Sequence, residues 1–181
     1  MIKQFNVILD NPPEKKWPGV VEKTDFKQVL KFFQIMSRTD IDEQRKAFYV
    51  LRVFFKDGNA PNDPKLWDQI IEFIACGEDK ENEAQPERTV FDYNVDHGRI
   101  FAAFWQAYGI DLRTVDMHWW AFCELFNNLP DETKLMQIVE LRSRKAGKND
   151  SPEYKKQLRK MQNSVRIDSG QDALTAALDR W

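Results

Sequence analysis

Apolar residues recur at helical spacing along nearly the whole chain, and only the N-terminal stretch departs from it. "FNVILD" (5–10) is a short apolar run closed by "NPPEKKWPG", and "VVEK" (20–23) can return beside it. That arrangement predicts a small β-hairpin within 3–23. In "TDFKQVLKFFQIMSR", Thr24 can cap a helix whose face carries Phe26, Val29, Leu30, Phe33 and Met36. A second helix is expected from Thr39 and Asp42 in capping-box order, through Ile41, Phe48, Leu51 and Phe55, to a stop at Gly58. A third begins with Asp63 as N-cap and Pro64 at its first position. It carries Leu66, Trp67, Ile70, Ile71 and Ile74 and ends at Gly77.

Residues 78–88, "EDKENEAQPER", read as an exposed acidic linker between 24–77, the first helical half, and 89–145, an aromatic-rich second half. Within that half, Ile100 to Tyr108 is apolar on nearly every side, so this helix is either central or covered by a partner. Gly109 ends it, and Thr114 can cap the next, with Asp116 in its first turn. Trp119, Phe122, Phe126 and Leu129 follow i, i+3, i+7, i+10 and form a core stripe. Met117, Trp120 and Glu124 project away from it. Pro130 and Asp131 start a further helix with Leu135, Ile138, Val139 and Arg142 along it. Residues 146–181 form a basic tail with thin apolar stripes, Leu158, Met161 and Val165 in one piece (152–165) and Leu174, Leu178 and Trp181 in another (171–180). Such helices gain little from packing, so the tail is expected to move or to depend on a partner. The expected fold is mainly α: a single helical domain over 1–145, six to eight helices in all, and the small hairpin.

Composition sharpens this reading in two ways. Thirteen Phe and six Trp among 181 residues require most rings to be buried. The net charge is −2, yet residues 142–166 hold nine Lys/Arg against two Asp/Glu, leaving the rest acidic. No apolar stretch approaches the ~20 residues of a membrane span, and the start lacks a signal-peptide run, so a soluble intracellular protein is expected. Cys76 and Cys123 lie inside apolar helical patterns and read as reduced core residues.

Reactive chemistry finds little footing. His118 and Cys123 are five apart, which turns their side chains about 140° from one another on a helix. No CxxC, HxxxH or ExxH pairing exists for a metal, and no Gly-rich phosphate loop or Gly-x-Ser-x-Gly is present. Neither cofactor nor metal nor catalysis is expected. Nucleic acid binding through 142–166 stays open as the weaker alternative, with Tyr154 the one aromatic inside the basic stretch. His118, on the flank of the stripe, is expected to make an ordinary hydrogen bond. Trp120 is either under another element or kept for a partner.

Three stretches carry a resemblance. They are "ILDNPP" followed by "TDFKQVLKFFQIM"; "EQRKAFYVLRVFF" with "DPKLWDQIIEFIACG"; and "DHGRIFAAFWQAYGIDLRTVDMHWWAFCELFNNLPDETKLMQIVELR". With Ala-Ala-Phe, Tyr-Gly-Ile-Asp-Leu, His-Trp-Trp-x-Phe, Leu-Pro and a closing Arg, the chain resembles a family from long-tailed phages and prophages of Gram-positive bacteria. Its genes lie just upstream of the tape-measure gene. The likeness covers roughly residues 5 to 145, is weaker in the basic helix beyond, and has no counterpart for 167–181. Its motif falls on Tyr108, Gly109, Asp111, His118, Trp119, Phe122 and Phe126. The resemblance implies a tail assembly chaperone that binds the tape-measure protein in the host cytoplasm, is missing from the mature virion and brings no catalytic residue. The tail-tube protein and further copies of the chain are additional candidate partners. Surplus aromatic area suggests a groove made by Phe101, Trp105, Met117 and Trp120, with the tail from Leu158 and Met161 onward as a movable cover.

Overall fold

The computed structural model describes residue 21 and residues 23–76 and 90–167. Seven α-helices and a short 3-10 turn at Lys56–Gly58 account for the regular structure among these residues. The fold is mainly α, as the periodicity predicts. The linker of 78–88, the terminal helix of 171–180 and all of the expected hairpin of 3–23 except Val21 and Lys23, which are in no strand, lie outside the described residues. Two compact units partition the chain. One holds the described residues up to 76 together with Asp116–Asn127, the other 90–115 and 128–167.

The first unit contains α1 (Phe26–Met36), α2 (Glu43–Phe54), α3 (Leu66–Ile74) and α5 (Trp119–Asn127). Helix α1 starts one residue later than Thr24 suggests, because Asp25 is the cap and its carboxylate accepts the Lys27 N–H at 2.9 Å. Phe26, Val29, Phe32 and Met36 are buried, and α1 packs on α2 and α5. The Phe26 ring stacks on Phe122 of α5 at 4.8 Å. Burial of each such ring contributes about 2–3 kcal/mol.

Helix α2 departs from expectation in register. Asp42 rather than Thr39 is its N-cap, accepting the Arg45 N–H, so Ile41 precedes the helix. The buried seam is Lys46, Val50 and Phe54, while Phe48 is turned outward and 55% exposed. Phe55 follows the helix in extended conformation and is itself fully buried. The sequence offers two adjacent apolar stripes, and tertiary packing selects the one containing Val50. Before α3, Asp63 caps a turn by accepting the Lys65 N–H, and the helix proper begins at Leu66.

The second unit contains α4 (His97–Tyr108), α6 (Lys134–Ser143) and α7 (Pro152–Ser164). Ile100, Ala103 and Phe104 of α4 face Leu135 and Ile138 of α6 in a small apolar core. Gly109 closes α4 at φ +66°, a left-handed conformation that costs other residues about 1–2 kcal/mol. Thr133, not Asp131, caps α6, its hydroxyl accepting the Met136 N–H. Helix α7 matches the expected 152–165 closely: Ser151 caps it and Pro152 occupies its first turn. Its Leu158 is 2% exposed, and Gln162 Nε2 donates to the carbonyls of Leu141 and Arg144. The helix is seated on α6 in spite of its thin apolar stripe.

Candidate partner-binding site

The His118–Trp119–Trp120 motif is a structural fastener of the first unit. Residues 24–26 and 117–119 run antiparallel through a single bridge between Asp25 and His118. Phe26 N–H donates to Met117 O and Trp119 N–H to Thr24 O, at 2.9 and 2.8 Å. Asp25 adds a third bond, its second carboxylate oxygen accepting the Met117 N–H at 2.9 Å. The two indoles then close the end of α3. Trp119 Nε1–H donates to Ile74 O at 2.9 Å and Trp120 Nε1–H to Phe73 O at 2.8 Å. Helices leave their last carbonyls without intrahelical donors, and these two indoles serve two of them. His118 Nδ1 accepts the Trp120 N–H at 3.2 Å, and its ring meets the edges of Phe73 and Trp120.

This corrects part of the expected groove. Trp120 is 6% exposed and belongs to the core, because α5 begins only at Trp119 and its first turn lies against Phe73. Thr114 is correspondingly no cap of α5; it sits in the turn opened by Asp111. Met117 is half-buried, with its backbone committed to Asp25 and Phe26. Trp119, Phe122, Phe126 and Leu129 are all buried, as their spacing requires.

On the second unit an aromatic surface does remain. Trp105 is 55% exposed, and Phe101, one turn earlier on α4, lies half-buried with its ring stacked at 6.3 Å. The Arg113 guanidinium covers Phe101 at 5.1 Å from the ring centre. Asp111 fixes that guanidinium by two bonds of 3.0 and 2.8 Å, and its carboxyl is held down at about 2 by them and by the Arg113 N–H. The Tyr108 hydroxyl donates to Asn128 O, which ties the end of α4 to the start of the next segment. Phe101 and Trp105 thus form one pair, whereas Met117 and Trp120 belong to the other unit. Of the two tail residues, Met161 is 37% exposed, whereas Leu158 is almost wholly enclosed.

Two features were not assigned from the sequence. One is a buried ion pair. Asp96 has no exposed side-chain surface and receives Arg142 Nη1 at 2.6 Å and Nη2 at 3.1 Å, with Arg99 Nη1 at 2.6 Å. Arg142 also donates to Val90 O and Val165 O, joining the two ends of the described unit. Burial alone would raise the Asp96 carboxyl, but the hydrogen bonds from Arg142 and from the Asp92 N–H bring it below its ordinary range. A visible clue was Arg142 on the same stripe as Leu135 and Ile138, since a charge at a core position needs a buried counter-charge. The other is Phe48 with Tyr49 on α2, both exposed, with Arg52 over the Phe48 ring at 5.5 Å.

Among the described residues no group of three or more His, Cys, Asp and Glu could hold a metal ion. No helix among them is long and apolar enough to cross a membrane. No curated protein and no solved structure matches the chain. A family model described as "Bacteriophage Gp15 protein" does match, over residues 22–167, which takes in the basic helix α7 as well as the His118–Trp119–Trp120 motif. With that match running through most of its length, the chain belongs to the bacteriophage Gp15 protein family.

Proposed function

We propose that this phage protein is a tail assembly chaperone, a non-catalytic adaptor that binds the tape-measure protein while the tail is built. It works in the host cytoplasm and leaves before the virion matures. The observation that carries the reading is the Phe101–Trp105 pair, an aromatic ledge on α4 whose indole is left more than half exposed. A tape-measure strand is long, helical and apolar, and aggregates if bare. An exposed indole held by a stacked neighbour can receive its apolar face in the helix-in-groove manner. Each contact is small, so many copies along one strand supply the hold, and arriving tail-tube subunits can displace them one at a time. Membership of a bacteriophage family supports the setting.

The test is co-expression with the tape-measure protein followed by affinity purification. Trp105→Ser changes an exposed side chain and should leave stability within about 0.5 kcal/mol while removing the tape-measure protein from the eluate. Trp120→Ser serves as the contrast, since it empties a core site and should cost about 3–5 kcal/mol. Full co-purification with Trp105→Ser would sink the proposal.

A further inference from the structure

Part of the chain's basic run lines one cleft. An opening of about 440 Å³ between the end of α6 and α7 is lined by Arg142, Arg144, Lys145, Lys155 and Arg159, with Leu158 and Val90 among its apolar walls. No acidic residue is among the described lining residues. Lys155 and Arg159 stand four apart on α7 and so share the face turned to it. Arg142 in the floor is paired with Asp96, and Arg144 with Glu140, so the field that reaches a ligand in the cleft comes mainly from Lys155 and Arg159 on α7. Gln162 occupies the carbonyls of Leu141 and Arg144, the acceptors that would otherwise repel an anion there.

We propose that this cleft binds a carboxylate-rich segment of a partner protein. One lining residue already shows the chemistry: the Arg144 guanidinium holds the Glu140 carboxylate. Guanidinium and carboxylate match in planar, two-pronged geometry. Nucleic acid fits less well. Among the described lining residues no aromatic ring is present to stack a base. The site is independent of the α4 ledge: it recognises charge, and it stands whether or not the tape-measure protein is the chaperone's client.

The experiment is fluorescence anisotropy of the full chain with a labelled, Glu-rich helical peptide, its Gln-for-Glu counterpart, and a labelled single-stranded DNA of mixed sequence. The Glu peptide should bind best and weaken with added salt. Lys155→Glu combined with Arg159→Glu should weaken it at least about ten-fold, as expected for lost charge pairs. Lys155→Arg with Arg159→Lys should retain it. Circular dichroism confirms folding, and the neutral pair Lys155→Gln with Arg159→Gln gives the same reading if charge reversal unfolds α7. Equal binding of the Gln peptide, tighter binding of the DNA, or unchanged affinity in the charge-reversed or neutral pair overturns the proposal.

Discussion

Replacing Arg142 by Leu tests the account of the second unit at its most connected point. The substitution keeps the apolar stem but deletes four donated hydrogen bonds, at 2.6 and 3.1 Å to Asp96, 3.1 Å to Val90 O and 2.6 Å to Val165 O. Asp96 would remain enclosed with only Arg99 and the Asp92 N–H, and Arg99 is itself partly exposed. Breaking a buried pair on one side costs about 3–5 kcal/mol, a large share of the ~5–15 kcal/mol that holds a domain together. Urea denaturation followed by far-UV circular dichroism measures it. Asp96→Leu together with Arg142→Leu should recover more than half the loss, because no charge is then left stranded. The pH dependence follows from the depressed Asp96 carboxyl. Its stabilisation is complete above the unfolded-state value near ~3.9 and is lost as pH falls through the lower folded-state value. Arg142→Leu should therefore narrow its gap to the wild type as the medium becomes strongly acidic. A single-mutant cost below about 1 kcal/mol, typical of exposed pairs, would refute the burial on which this rests.

Trp120→Phe keeps a ring in the core but removes the indole donor to Phe73 O; Cys76 N–H still serves that carbonyl, so the expected loss is about 1–2 kcal/mol by urea denaturation. Gly109→Ala meets no atom within 4 Å, yet φ +66° alone should cost about 1–2 kcal/mol in the same assay. By carbon-detected NMR titration the Asp111 carboxyl should titrate at about 2, and Arg113→Ala should return it toward 3.8.

The helices were legible because their apolar stripes repeat at helical spacing, and Gly109 and Ser151–Pro152 mark boundaries that survive folding. Starts were less secure where the chain offers neighbouring caps. Thr24 yields to Asp25, Thr39 to Asp42 and Asp131 to Thr133, since each winner's side chain reaches an N–H two or three residues on. Trp120 could not be placed from α5 alone. Its burial depends on a carbonyl 47 residues away, a partner no local period reveals. Phe48 shows the same limit in reverse, an apolar residue on a plausible stripe that α2 turns outward. That Phe101 and Trp105 lie side by side on one flank of α4 was readable from their four-residue spacing, because one helix presents both rings.

The most direct measurement places a photo-crosslinking amino acid at position 105 in cells making the tape-measure protein, and identifies the adduct by mass spectrometry. If α4 grips the strand through Trp105, the tape-measure protein is captured there, and a probe at exposed Lys134 on α6 captures far less. Capture from position 134 alone, or no tape-measure adduct from 105 while the two proteins co-purify, would mean that the aromatic ledge is not where the partner is held.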